Sequence, residues 1–307
     1  MRRTRSFRFG LQLWDAPTGA AWAAAARRAE ELGFDVLVVP DHAVAGVLAP
    51  LAALGALAAA TTRIRIGTLV LNNDFRHPAL LAREAATLDL LSGGRFELGL
   101  GAGHAAPEYH ELGIPFDPPG VRVSRLTSSV AILRRLFDGE TVSVDGPHYV
   151  LDEHRLDPAR RPTLLVGGNG DRVLRLAARL ADVVGFTGLG ATLPDGQRHV
   201  TEWAVGEIDA KVATVRAAAG DRVDELELSA LVQYVEITED RALAVEPIAA
   251  RTGTDPDTLL ASPYLLVGTR DEIVEQIRRA RDRWGFSYFV TRDAEATAPI
   301  IDGLRGG

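Results

Sequence analysis

The 307-residue sequence contains no cysteine. That absence excludes disulfides, zinc sites built on thiolates, cysteine nucleophiles and iron–sulfur clusters held by cysteine. Any redox chemistry would therefore need an organic cofactor. A GxSxG elbow is also missing, which argues against a Ser-His-Asp hydrolase.

Positive charge is scarce as well, since Lys211 is the only lysine and the net charge is -7. An acidic chain of this kind is a poor general binder of phosphate backbones, so nucleic acid is not an expected partner. The Ala-rich apolar run at residues 47–60 is shorter than the ~20 residues that a membrane span requires. The basic N-terminus enters apolar strand residues at Phe7 without the h-region of a signal peptide. These features predict a cytoplasmic protein with no membrane segment.

Strand and helix patterns alternate along the whole chain. Apolar strands are predicted at residues 7–13, 36–39, 64–70, 96–100, 163–166, 183–186, 226–237 and 287–290. Helical patterns lie between them, such as residues 78–91, where Pro78 stands in the first turn and its missing N–H costs nothing. No linker rich in Pro, Ser or charge divides the chain. The pattern predicts one α/β domain over residues 1–307, a single (β/α)8 TIM barrel with insertion segments.

Two segments are predicted to be insertions in this barrel. Residues 141–151 indicate a short hairpin that turns at Asp145 and Gly146. Residues 188–199 contain few apolar anchors and are predicted to form a loop, a candidate lid.

The segment LLVGGNGD at residues 164–171 runs from a buried strand through three glycines into a helix. Glycines allow backbone N–H groups to approach a ligand closely, and a helix N-terminus favours an anion such as phosphate. The segment could equally be a tight strand-to-helix turn that binds nothing. It is not a Walker A loop, because no GK[ST] follows.

Polar or aromatic side chains follow several strands at the end where parallel barrels keep their chemistry. Asp41 and His42 follow the second strand, His104 follows the glycines of the fourth, and Trp14 follows the first. A histidine there could transfer a proton near neutral pH, and Asp41 could accept hydrogen bonds from a heterocycle. The structural alternatives are a loop cap for Asp41 and His104, a solvated His42 and a packing role for Trp14.

A metal site is not predicted, although His104, Glu108, His110 and Glu111 are close in sequence. They are expected to lie in a loop that contains Pro107, without the i, i+4 helical spacing of HExxH.

Three segments carry a family resemblance: VPDH at residues 39–42, GTLVLNNDFRHPALLAREAATLDLLSGGRFELGLGAG at residues 67–103, and LLVGGNGDRVLRLAARLADVVGFTG at residues 164–188. Together they resemble the bacterial luciferase-like superfamily of flavin and deazaflavin oxidoreductases, over nearly the whole chain. The details look most like the branch that uses coenzyme F420, an 8-hydroxy-5-deazaflavin hydride carrier. FMN-dependent monooxygenases share much of the pattern.

This resemblance implies roles for the residues after strands two and three. Asp41 and His42 would lie at the deazaflavin, with His42 on the substrate side as a proton donor or acceptor. In relatives, a non-prolyl cis peptide supports the back of the ring, and the matching bond here joins Leu69 to Val70. Asn72 would lie beside the ring edge.

The resemblance also implies roles for residues after strands four and five. Gly101, Ala102 and Gly103 would line the pocket beneath the cofactor. The backbone donors for its phosphate would come from Gly167, Gly168, Asn169 and Gly170. His104 stands where the sugar-phosphate dehydrogenase branch has a catalytic glutamate, so that substrate is not carried over, and His104 is the second candidate for proton transfer. Trp14 and Thr187 are expected in the substrate pocket.

The resemblance implies an F420-dependent oxidoreductase that transfers a hydride between the deazaflavin and a small organic substrate. Relatives commonly pair through helices of the early units, which implies a homodimer. One alternative is an FMN-dependent luciferase-like monooxygenase. An alternative of another class is a non-catalytic barrel that binds a flavin or deazaflavin.

Overall fold

The computed structural model describes residues 5–193 and 199–305. Its centre is a closed barrel of parallel strands, which confirms the predicted (β/α)8 TIM barrel. The barrel strands are β1 (Arg8–Gln12), β2 (Val36–Val39), β3 (Arg65–Thr68), β4 (Phe96–Gly101), β5 (Thr163–Gly167), β6 (Val183–Phe186), β7 (Glu227–Leu231) and β8 (Phe286–Thr291). Neighbouring strands pair in sequence order, β8 pairs with β1, and a short strand at Leu71–Asn72 extends the line of β3 along β4.

Helices surround the barrel. They are α1 (Gly19–Glu31), α2 (Pro50–Ala60), α3 (Pro78–Leu91), α4 (Ala106–Glu111), α5 (Pro119–Phe137), α6 (Asp171–Leu180), α7 (Val205–Ala219), α8 (Arg241–Thr252), α9 (Pro256–Ala261), α10 (Arg270–Trp284) and α11 (Ala294–Arg305). Short 3-10 turns lie at Asn73–Phe75 and Gly220–Asp224. Within the described ranges, no helix is both long and apolar enough to cross a membrane.

The apolar core has two parts. The larger part lies between the barrel and the helices, where strand residues such as Leu37 and Leu98 meet helix residues such as Leu54. The smaller part fills the barrel interior with side chains that include Val38 and Val290. Strands buried on both faces explain why the sequence shows continuous apolar runs and not alternation.

The structure confirms one of the two predicted insertions and corrects the other. The predicted hairpin is confirmed, since Val142–Asp145 pairs antiparallel with Val150–His154. The predicted loop at residues 188–199 is wrong in its described part, because Leu189–Thr192 pairs antiparallel with His199–Thr201. These strands are short and include Gly190, Thr192 and Thr201, so they lack the apolar pattern that marks a buried strand. Residues 194–198 of that prediction lie outside the described residues.

The predicted strand at residues 226–237 is in fact two strands. After β7, the chain leaves the barrel, and Tyr234–Ile237 pairs in parallel with Leu265–Gly268. The Gln233 N–H donates to the Tyr264 carbonyl at 2.7 Å, which begins this second pairing. The apolar run continues across both pairings, so composition alone does not mark the break.

The segment predicted as a loop around Pro107 contains the helix α4. Pro107 stands in the first turn, where a missing backbone N–H is tolerated. This helix carries Glu108 and Tyr109 into the interior, and both are buried.

Candidate functional site

The carboxyl ends of the barrel strands surround a cavity of about 490 Å³. That volume lies within the range of small-molecule and cofactor sites. Every site residue predicted from the sequence, with the exception of Gly170, lines this cavity. The lining residues that sequence reasoning did not assign to the site include Gln12, Glu108, His199, Leu231 and Arg292.

The wall at β3 contains the cis peptide bond between Leu69 and Val70 that the family resemblance implied. Glycines of β4 let this wall pack closely. A Cβ on Gly101 would lie 2.7 Å from a methyl group of Val70, and a Cβ on Gly99 would overlap the Thr68 carbonyl. The glycines of GLGAG therefore serve close strand packing in addition to lining the pocket.

The backbone conformation and packing at position 103 also require a glycine. Its φ is +74°, a conformation that favours glycine, and a Cβ there would overlap the Tyr109 hydroxyl. That hydroxyl donates to the Asn72 Oδ1 at 2.9 Å and also lies 3.2 Å from Asp74. Tyr109 of α4 thus fixes the Asn72 side chain, whose amide oxygen already accepts a hydrogen bond.

Asp41 is anchored by charge. Its Oδ2 accepts a hydrogen bond from the Asn72 N–H at 2.9 Å, and both carboxylate oxygens bond the Arg76 guanidinium, one of them at 3.2 Å. Arg76 belongs to the RHP motif and had no role assigned from the sequence. This ion pair ties the end of β2 to the segment after β3.

His42 forms a dyad with Glu108. Its Nδ1 lies 2.7 Å from the Glu108 Oε1, while the Glu108 Oε2 accepts from the Ala43 N–H at 2.9 Å. A carboxylate only accepts hydrogen bonds, so Nδ1 carries the proton and Nε2 is left for a ligand. The His42 ring stacks on Trp14, with 5.3 Å between centroids and 7° between planes.

His104 is packed among other rings. Its centroid lies 5.5 Å from that of His42 and 4.5 Å from that of His199, both in edge contacts. Burial is the main cause that lowers the pKa of His104 to about 4, and the neighbouring His199, His42 and Arg122 add to the effect. The imidazole of His104 is therefore neutral at pH 7.

The glycine-rich turn after β5 offers an anion fewer backbone N–H donors than the sequence predicts. The Gly168 N–H already donates to the Gly185 carbonyl at 3.1 Å, and a Cβ on Gly168 would lie 2.8 Å from Val173. The N–H groups of Asn169 and Gly170 have no partner among the described residues. In the first turn of α6, the N–H groups of Asp171 and Arg172 also have no acceptor among the described residues, whereas the Val173 N–H donates to the Gly170 carbonyl at 3.0 Å.

The single lysine stands behind this turn. Lys211 forms an ion pair with Glu202, which also accepts from the Asn169 Nδ2 at 2.5 Å. Burial lowers the pKa of Lys211, and Asp171 opposes that shift. Lys211 is therefore connected to the turn by way of Glu202, which binds the Asn169 side chain.

Thr187 is fixed in the cavity wall by hydrogen bonds to its carbonyl and to its hydroxyl. Its carbonyl accepts from the Gln233 Nε2 at 3.0 Å, and its hydroxyl accepts from the Leu189 N–H at 3.3 Å.

Over the described part of the chain, no group of three or more His, Asp or Glu residues is placed to hold a metal ion.

The lining residues not predicted from the sequence include Glu108, His199 and Arg292. The sequence pattern marks Glu108 only as one of the rejected metal candidates. His199 comes from the polar insertion, and Arg292 directly follows the last strand, where the pattern of the other strand ends could have drawn attention to it.

Comparisons with known proteins agree with this architecture. The model of the luciferase-like monooxygenase family matches residues 7–288. The F420-dependent glucose-6-phosphate dehydrogenase of Beutenbergia cavernae is 30% identical over 294 residues, which cover 87% of this chain and 85% of that protein. The F420-dependent tetrahydromethanopterin reductase of Methanopyrus kandleri superposes with a TM-score of 0.75 at 18% identity, covering 97% of this chain and 98% of that one. A monooxygenase from Streptomyces bottropensis superposes with a TM-score of 0.72 at 22% identity, covering 96% of each chain.

Proposed function

The chain belongs to the luciferase-like monooxygenase family, and we propose that it is a coenzyme F420-dependent oxidoreductase that acts on a small organic substrate by hydride transfer. The observation that carries this proposal is the likeness, over most of the chain, to a curated F420-dependent dehydrogenase. The family resemblance predicted from the sequence motifs is confirmed by the family match.

The cavity fits the cofactor on structural grounds. Free N–H groups at Asn169, Gly170 and the α6 N-terminus suit a phosphate. The wall formed by Leu69 and Val70, close-packed on Gly101, offers a support for a flat ring. These residues would hold the cofactor, with Asn72 and Asp41 keeping the wall in place.

When bound, coenzyme F420 would supply or accept a hydride at the central carbon of its ring. The protein contributes orientation and the proton. His42 would transfer the proton through Nε2, because Glu108 binds Nδ1 and fixes the orientation of the ring. His104 is neutral at pH 7 because burial lowers its pKa to about 4, so it would orient the substrate by hydrogen bonding and not donate the proton.

Titration of the apoprotein with coenzyme F420 and with FMN, followed by fluorescence quenching, tests the cofactor assignment. We expect saturable binding of F420 and a much weaker response to FMN. Tight FMN binding with no response to F420 would overturn the proposal.

The rival function is an FMN-dependent monooxygenase, which is favoured by the structural likeness to the monooxygenase of Streptomyces bottropensis. A deazaflavin reacts poorly with oxygen, so oxygen uptake during turnover separates the two functions. A non-catalytic barrel would bind the cofactor but leave its absorbance unchanged in single-turnover mixtures with enones, imines and alcohols.

We further propose that the protein is a cytoplasmic homodimer. Helix α3 exposes Leu80 and Leu91, at 61% and 68% of their surface, beside a groove lined by Leu51 of α2. Exposed leucines on α3 beside the half-buried Leu51 of α2 suit a self-complementary apolar interface. Light scattering should give twice the chain mass, and Leu80→Gln with Leu91→Gln should give the monomer. A parent monomer at micromolar concentration would contradict the dimer, and cell fractionation tests the compartment.

A further inference from the structure

Arg292 lies at the edge of the cavity, directly after β8. Its Nε donates to the Gln12 Oε1 at 2.8 Å, and its Nη1 donates to the Gln233 Oε1 at 3.2 Å. The Nη2 has no hydrogen-bond partner in the described part of the chain. The guanidinium is therefore positioned by two neutral amides and keeps donors available to a ligand.

The two glutamines are themselves fixed. The Gln12 Nε2 donates to the Leu69 carbonyl at 3.0 Å. The Gln233 Nε2 donates to the carbonyls of Thr187 and Leu231 at 3.0 and 3.2 Å. Because both amide nitrogens are bound to backbone carbonyls, both amide oxygens must face Arg292. The barrel thus orients the guanidinium without neutralising it.

The two carboxylates that line the cavity already have partners. Asp41 pairs with Arg76, and the two oxygens of Glu108 are hydrogen-bonded to His42 and to the Ala43 N–H. No carboxylate of the described residues lies within ion-pair distance of Arg292. The residue stays accessible at the cavity edge, yet the protein atoms around its guanidinium lower the pKa of Arg292 by desolvation. The charge of Arg292 therefore has no carboxylate partner among the described residues and is left for solvent or for an anionic ligand to balance.

We propose that Arg292 binds a carboxylate group of the substrate, so that the substrates are small organic acids. This inference rests on the proposed oxidoreductase function. A guanidinium edge matches the planar carboxylate with two parallel hydrogen bonds. The cofactor has anionic groups of its own, so the experiment must separate substrate from cofactor as the source of the anion.

The test measures binding to the F420-loaded protein by isothermal titration calorimetry. The probes are monocarboxylates from propionate to cinnamate, each compared with its methyl ester. In the parent protein, we expect the best acid to bind about 10- to 100-fold more tightly than its ester, the usual range for a charge-assisted hydrogen bond.

Two variants remove the preference in different ways. Arg292→Gln deletes the charge, and Gln233→Glu keeps Arg292 but places a carboxylate beside it. Both should reduce the acid-to-ester ratio to near one and leave the F420 dissociation constant within about twofold of the parent. Arg279→Gln on α10 is the matched control, since Arg279 is 61% exposed, and it should change neither quantity.

Three results would overturn the inference. One is equal affinity for acid and ester in every pair, including no measurable binding of either. Another is a parent-like preference in Gln233→Glu, which applies even if Arg292→Gln fails to fold. The third is a loss of at least tenfold in F420 affinity in Arg292→Gln with the acid preference intact, which would assign the guanidinium to the cofactor. Failure of the parent to bind F420 would instead overturn the proposed function.

Discussion

The two ends of the barrel differ in how the arginines that line them are paired. At the end where the strands begin, Arg8 pairs with Glu97 and with Glu227, and Arg65 pairs with Glu97 at 2.5 Å. At the mouth, where the strands end, Arg292 has only amide partners among the described residues. At the closed end, Arg8 and Arg65 have carboxylate partners within the protein, whereas the mouth leaves donors of Arg292 for a ligand.

The ion pairs at the closed end are centred on a buried carboxylate. Glu97 is 3% exposed, and its pairing raises the pKa of Arg8 against the opposing effect of burial. The Arg8 guanidinium lies over the Tyr288 ring at 4.5 Å. Removing one partner from such a group leaves a buried charge unpaired, so this end should control stability.

Glu97→Gln should have the largest effect. The change keeps the shape of the side chain but removes the carboxylate partner of Arg65 and leaves Arg8 paired with Glu227 alone, which should lower the free energy of unfolding by about 3 kcal/mol. Urea denaturation of the apoprotein measures this loss. The F420 dissociation constant of the folded variant should remain that of the parent, and a large change in it would break the division between the two ends.

The second prediction concerns the turn before α6. Gly170 is the N-cap of α6, its φ is -83°, and a Cβ there meets nothing within 4 Å. Gly170→Asp should therefore stabilise the helix by a few tenths of a kcal/mol. The same carboxylate should repel the cofactor phosphate and weaken F420 binding by about 30-fold, or 2 kcal/mol.

Gly170→Asn is the matched control, because it caps the helix equally well without charge. It should bind F420 far more tightly than Gly170→Asp does. Equal F420 affinity in the parent and in Gly170→Asp would show that the phosphate binds elsewhere. A larger side chain at Gly168 would not test the phosphate site, since it would clash with Val173 of the protein itself.

Sequence patterns predicted the fold and most of the cavity because both depend on local signals. The helix predicted at residues 78–91 has those bounds in the structure, since Pro78 and the apolar spacing define it locally. The strand at Val36–Val39 is equally local. The motif residues of the strand ends then meet at one mouth because a parallel barrel brings every carboxyl end together.

The unpredicted residues depend on contacts that are distant in sequence. The pairing of His42 with Glu108 spans 66 positions, and that of Arg292 with Gln12 spans 280. Nothing near either residue marks its partner. The roles of Gly101 and Gly103 were only partly predicted, because the close approach of Val70 and Tyr109 is a property of the packed barrel.

Glu108→Gln is the counterpart of Glu97→Gln at the other end of the barrel. The amide should still accept a hydrogen bond from the Ala43 N–H, but it would no longer present a carboxylate oxygen to the His42 Nδ1. We expect kcat to fall about tenfold, a range typical of groups that orient a functional histidine. The pH profile of kcat should shift, a change that a purely structural role would not produce. A large loss of stability with an unchanged pH profile would contradict the role of Glu108.

The smallest predicted effect is the response of the mouth to mild acid. Burial lowers the pKa of His104 to about 4 in the folded protein, against 6.5 for an unperturbed histidine. As the pH falls, the unfolded chain takes up this proton first, so stability falls between about pH 6.5 and pH 4. From pH 7.5 to pH 6, this one group should cost about 0.8 kcal/mol. Urea denaturation at the two pH values measures the loss.

His104→Gln should remove that part of the pH dependence, even if the replacement lowers stability at both pH values by disturbing the packing of the rings. His110→Gln is the control, because His110 is exposed on α4 and its replacement should leave the parent's pH dependence intact. An identical pH dependence in the parent and in His104→Gln would mean that the folded protein tolerates a charged His104. His104 would then compete with His42 as the proton donor, and the contrast between a closed, charge-compensated end and a mouth that keeps one imidazole neutral would fail.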